Sequence, residues 1–219
     1  MTRPVLALDV DGVLNPAGSF SKLGPGWELH RIEIPACDVP DSPLVSGSGT
    51  RDLSTTVALN PSLHGAWITR LRGEYDVVWA TTWEHTANTH LAPLLGIEPL
   101  PVGISVITHP AYRGADDDGI VSAWKARALS RTYPDRPLVW IDDDNHAYAT
   151  DPAWNTAHRW ASRCDPRSGL TPEIMNRVET WLKHASRSLW RKKAEARLAF
   201  PVASPELSRA EPQASVACV

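Results

Sequence analysis

Cysteine is scarce and unpatterned here: Cys37, Cys164 and Cys218 are the three among 219 residues, far apart and without a C-x-x-C pair. An odd, scattered set builds neither a disulfide framework nor a zinc ribbon, so a reducing, cytoplasmic setting is expected. Long apolar runs are also missing. The run Val5-Leu6-Ala7-Leu8 is broken by Asp9 and Asp11, which leaves it too short for a signal-peptide core or a membrane span, and no membrane partner is expected. Neither sign of charge dominates: 22 Lys+Arg stand against 25 Asp+Glu, a formal net charge of -3. That balance gives no global basic field for nucleic acid or anionic lipid. No G-x-x-x-x-G-K-[ST] or G-x-G-x-x-G sequence occurs, which removes support for a P-loop kinase or a Rossmann dehydrogenase. His85 and His90 lie five apart with no H-E-x-x-H, so they read as helix surface and not as zinc ligands.

What is present is an ordinary globular mixture, 42% hydrophobic and 21% charged, long enough to bury one core. Val5-Leu6-Ala7-Leu8, Val77-Val78-Trp79-Ala80 and Leu138-Val139-Trp140-Ile141 are continuous apolar runs that stop abruptly at polar residues, the pattern of buried parallel strands. Helical spacing between them, over 62–72 and 120–133, predicts an α/β parallel sheet. Residues 15–60 break the alternation, being rich in Gly, Pro and Ser. They read as a flap, with strands at 27–34 and 55–59 and a flexible Ser46-Gly47-Ser48-Gly49 loop. A further strand is expected at 102–107. Thr171-Pro172-Glu173 opens a long last helix, and past Phe200 the composition predicts a disordered tail. The expected domains are 1–185, with 15–60 as its small insertion, and a basic helix end plus tail over 186–219. Trp67, Trp79, Trp124, Trp140 and Trp181 fall on apolar faces and are expected in the core, while Trp83 is a candidate substrate contact.

Chemistry concentrates at the strand ends. After the first run comes Asp9-Val10-Asp11-Gly12-Val13; alternation puts Asp9 and Asp11 on one side, and Gly12 lets the chain turn away. Two carboxylates at one strand end repel each other unless a cation joins them, and magnesium is a natural one. The third run ends in Asp142-Asp143-Asp144, so two parallel strands would deliver carboxylates to one edge. Calcium loops fit poorly, because Gly12 is fourth from Asp9 and not sixth, and Ala147 and Ala153 occupy the sixth and twelfth places from Asp142. Asp116-Asp117-Asp118 follows no apolar run and reads as a solvated loop. The middle run ends in Thr81-Thr82, a hydroxyl pair able to meet a ligand or cap the next helix. Lys125, on the helix before the third strand, could supply a compensating charge.

Together Asp9-Val10-Asp11-Gly12-Val13, Thr81, Lys125 and Asp142-Asp143 resemble the four motifs of the haloacid dehalogenase-like (HAD) superfamily of phosphohydrolases, in order and in context, over about residues 4–182. The stretches from Asp9 to Pro16 and from Trp79 to Asn88 look most like the small HAD domains of RNA-repair proteins. The resemblance implies a three-layer sandwich around a mostly parallel, Rossmann-like sheet with a short flap after its first strand. It implies Asp9 as nucleophile and Asp11 as general acid and base, with Thr81 and Lys125 binding phosphoryl oxygens. Mg2+ would be held by Asp9, the main-chain carbonyl of Asp11, and Asp142, with Asp143 assisting. The expected activity is phosphate-monoester hydrolysis through an aspartyl-phosphate, on nucleic-acid terminal phosphates or nucleotides. The alternative is a non-catalytic module on the same scaffold that holds RNA, DNA or a partner, for which Lys183, Arg187, Arg191, Lys192, Lys193 and Arg197, opposed by Glu195, offer a basic stretch.

Overall fold

The computed structural model describes residues 3–35, 53–105, 120–145, 148, 154, 156 and 158–199. The expectations made for 46–49, 116–118, Cys37, Cys218 and the tail from Phe200 lie outside these residues. Contacts divide the chain into two compact units, Met1–Ser186 and Arg187–Val219. The first holds both sheets and every described helix except the end of the last one, from Arg187 on.

Four parallel strands form the sheet: β1 (Val5–Leu8), β4 (Asp76–Trp79), β5 (Leu138–Asp142) and β6 (Arg159–Arg163), in the order β4-β1-β5-β6. Alternation along each buried strand sends successive side chains to opposite faces. Leu6, Leu8, Val77, Trp79, Val139 and Ile141 enter one core, while Val5, Ala7, Val78, Leu138 and Trp140 enter the other. Helix α1 (Ala66–Leu71) covers the first face with Trp67, Ile68 and Leu71, joined by Met175, Val178 and Leu182 of helix α5 (Pro172–Ala199). Helix α4 (Ile120–Thr132) covers the second with Trp124, Ala128 and Leu129. Between them runs a helical segment from α2 (Glu84–Thr86) through a wide turn at Ala87–Leu91 to α3 (Ala92–Leu95). The result is the α/β three-layer sandwich around a parallel sheet. No described helix is long and apolar enough to cross a membrane.

The flap region contains an antiparallel hairpin, β2 (Glu28–Ile34) paired with β3 (Leu53–Leu59), Leu29 opposite Ala58. Its Ile32, Ile34, Val57 and Leu59 join the first core. Two readings need correction. Of the strand expected at 102–107, the described residues form a single bridge, Trp79 to Val102, with Trp79 N donating to Pro101 O and Gly103 N to Trp79 O; residues past 105 are not described. The edge strand β6 went unread, since Arg159-Trp160-Ala161-Ser162-Arg163 carries no apolar run. Of the tryptophans assigned to the core, Trp67, Trp79, Trp124 and Trp140 are buried, and Trp181 packs against the core while partly exposed.

Candidate active site

Register sets the site. Leu8 is level with Trp79 on one side and Ile141 on the other, so the residues that leave these three strands emerge along one edge. The connection from β1 to β4 carries α1 on one face and that from β4 to β5 carries α4 on the other, which makes the end of β1 a switch point where open α/β sheets bind ligands. Asp9 N still donates to Ile141 O at 3.0 Å and Ala80 N to Leu8 O at 2.7 Å. The chain then turns through Gly12, whose φ is +71°, with the amides of Leu14 and Asn15 both donating to Val10 O.

Lys125 ties the edge together. Its Nζ donates to Asp9 Oδ2 at 2.6 Å and to Asp142 Oδ2 at 2.7 Å, and all three side chains are buried. Asp142 also accepts from Trp140 Nε1 at 3.2 Å and from the Asp144 amide at 2.8 Å. Burial, and then the neighbouring Asp142 charge, push the Asp9 carboxyl up to about 7 against the pull of Lys125. Asp143 is raised by burial and by Asp9. Burial pulls Lys125 down, yet Asp9 and Asp142 hold its ammonium above the usual lysine range. Burial and the same acidic cluster push the thiol of the free, buried Cys164 up to about 12, which disfavours its thiolate.

Ligand atoms of Asp9, Asp142 and Asp143 all lie within 4.8 Å of one another. Three converging carboxylates against one ammonium leave an excess of negative charge, and an all-oxygen donor set suits a hard divalent cation such as Mg2+. The residues therefore fit that ion. His85 and His90 are not in this group. Nor is the Asp11 carboxylate, whose Oδ1 accepts from Asn15 Nδ2 and Oδ2 from Trp83 Nε1, both at 2.8 Å. Burial raises the Asp11 carboxyl while these two donors oppose the rise. Thr81 is buried at the end of β4, where its Oγ1 accepts from the Trp83 amide at 3.3 Å.

Two residues at the site escaped the sequence reading. Asn15 belongs to no motif spacing, and only its position after the Asp11-Gly12 turn hints at a cap. Glu84 falls within the stretch from Trp79 to Asn88, and nothing in its spacing assigns it a role. It is buried at a φ of +45° and accepts from Ser105 Oγ at 3.1 Å, and that backbone conformation cannot be read from composition.

Gly12 permits the close approach of Asp143. A Cβ on Gly12 would sit 2.3 Å from Asp143 Cγ, and the positive φ adds strain for any other residue. Gly12→Ala is therefore expected to displace Asp143 and weaken Mg2+ binding by about tenfold or more, since losing one well-placed partner costs on the order of 1–3 kcal/mol. Calorimetric titration with Mg2+ checks this, and an unchanged affinity would separate Asp143 from the ion.

Residues 5–175 match the family described as the HAD domain in Swiss Army Knife RNA repair proteins. No curated protein and no solved structure matches the chain.

Proposed function

Because the chain belongs to the family of HAD domains in Swiss Army Knife RNA repair proteins, we propose that it is a Mg2+-dependent phosphohydrolase acting on the terminal phosphates of nucleic acids or on nucleotides. The observation that supports this most is the single cluster of Asp9, Asp142 and Asp143 with Lys125 at the end of β1. Asp9, Asp142 and Asp143, together with the Asp11 main-chain carbonyl, would hold Mg2+, and the bound ion would supply positive charge against the phosphoryl oxygens. Asp9 attacks phosphorus and forms the aspartyl-phosphate as the ester P–O bond breaks. Asp11 gives its proton to the leaving oxygen, then removes one from water. The water oxygen bonds to phosphorus, the acyl-phosphate P–O bond breaks, and Asp9 is regenerated with inorganic phosphate. Lys125 fixes the orientation of Asp9, and together with Thr81 it offers donors to the phosphoryl oxygens.

The insertion at 15–60 is short for a full helical cap, which suits a polymer end better than a fully enclosed metabolite. The decisive experiment measures phosphate release with and without Mg2+ from an aryl phosphate, nucleotides, and RNA and DNA ends bearing 3'- or 5'-phosphate. Metal-dependent release with a preference for nucleic-acid ends is expected. Silence from folded protein that binds Mg2+, together with RNA retention, would replace the enzyme by a binding module.

A further inference from the structure

Both oxygens of the Asp11 carboxylate are held, and one holder reaches beyond the site. Asn15 donates through Nδ2 to Asp11 Oδ1 at 2.8 Å, and its Oδ1 accepts from the Ala58 amide of β3 at 2.9 Å. These partners fix the orientation of the Asn15 amide, since a carboxylate can only accept and a backbone N–H can only donate. Trp83 completes the grip from the other side, with Nε1 at 2.8 Å from Asp11 Oδ2, and its ring packs against the core. Ala58 is buried within the hairpin, opposite Leu29. One side chain thus connects the flap to the carboxylate that must meet the leaving oxygen.

Resting on the phosphohydrolase reading, we infer that Asn15 is a positioning residue that ties the β2–β3 hairpin to Asp11, with Trp83 as the fixed counterpart, so that proton transfer to the leaving group depends on the seating of the flap. The carboxylate sits where two donors set its rotamer. Were it free, it would lose the preorganisation on which acid catalysis depends. The Asn15 main chain closes the turn through Val10 O and Gly12 N, while among the described contacts its side chain meets neither Asp9 nor the Asp142–Asp143 carboxylates and reaches the site at the Asp11 carboxylate.

Leaving-group chemistry separates this role from a structural one. A phenolate of low basicity departs with little help, whereas the ribose hydroxyl of a 3'-phosphorylated oligonucleotide needs a proton. The ratio of kcat/KM on the oligonucleotide to kcat/KM on the aryl phosphate reports P–O cleavage and excludes hydrolysis of the aspartyl-phosphate. Asn15→Asp keeps the acceptor for Ala58 but loses the donor to Asp11, and that ratio should fall by about 10²-fold, the lower end of what general acid catalysis contributes. Trp83→Phe should lower it in the same direction. An equal loss on both substrates, or none, overturns the positioning role.

The tether is tested without turnover by amide hydrogen exchange. Asp11→Ala frees the Asn15 amide, so exchange at Ala58 should accelerate by at least about fivefold while the sheet amides of β1 and β5 hold their rates. Unchanged exchange at Ala58 overturns the tether. A wild-type protein silent on every phosphate ester sinks the phosphatase reading, and the tether then stands or falls on exchange alone.

Discussion

Asp9→Asn is expected to lower phosphate release by about 10⁴-fold or more, as removal of a covalent nucleophile does, and at the same time to stabilise the metal-free protein at alkaline pH. The second effect follows from the first residue's environment. Asp9 is buried beside Asp142, and its carboxyl is raised from 3.8 to about 7 in the fold. An acid whose folded pKa lies above its unfolded one contributes its full stability below the unfolded value and loses it as pH rises through the folded value. The metal-free wild type should therefore lose stability as pH rises between about 4 and 7. Asparagine has no such titration, and Lys125 keeps Asp142 as a partner at 2.7 Å. Urea unfolding at pH 5 and pH 8 should show the variant gaining on wild type at the higher pH. Added Mg2+ should restore the wild type and help the variant much less. A variant less stable than wild type at pH 8 without metal would mean that the attraction of Lys125 outweighs burial at Asp9.

The parallel sheet was legible because its three inner strands are buried on both faces and so appear as unbroken apolar runs in the sequence. The order of the two motifs was legible as well, since a carboxylate directly after such a run has few places to go. Edge position hid β6: Trp160 and Ser162 alternate with Ala161, and no run forms. Lys125 is one lysine on a helix by local pattern and stands out only through its order among the four motifs. Its importance comes from the packing of α4 against β1 and β5, which puts Nζ between two carboxylates from strands 116 and 17 residues away. No local pattern encodes such a contact. Asn15 was less visible still, because its acceptor is used by an amide 43 residues distant on the hairpin. Glu84 depends on a left-handed backbone that its sequence neighbours give no reason to expect. Long-range closure thus decided the placement of Lys125 and the far end of the Asn15 contact, while a local backbone conformation decided Glu84.

Lys125→Met should be the most destabilising single change at the site. Methionine keeps most of the side chain's length and apolar packing, so the loss isolates the ammonium. Asp9 and Asp142 would then face each other buried and without their cation, a situation that costs about 3–5 kcal/mol when one partner of a buried pair is removed. The carboxylates have one escape, which is protonation. At pH 5 the Asp9 carboxyl, already raised to about 7 with Lys125 present, can stay neutral and donate to a neighbour, so the cost should shrink. At pH 8 that escape means taking a proton from dilute solution, and the full cost should appear. Mg2+ offers a second remedy by replacing the missing positive charge among Asp9, Asp142 and Asp143. Urea midpoints should therefore fall most at pH 8 without metal, less at pH 5, and recover in part with Mg2+. Turnover should stay about 10²–10³-fold low even with saturating Mg2+, because the ion does not replace the donor that orients Asp9. A loss equal at both pH values and unmoved by Mg2+ would assign Lys125 to packing alone and remove the electrostatic link between β1, α4 and β5.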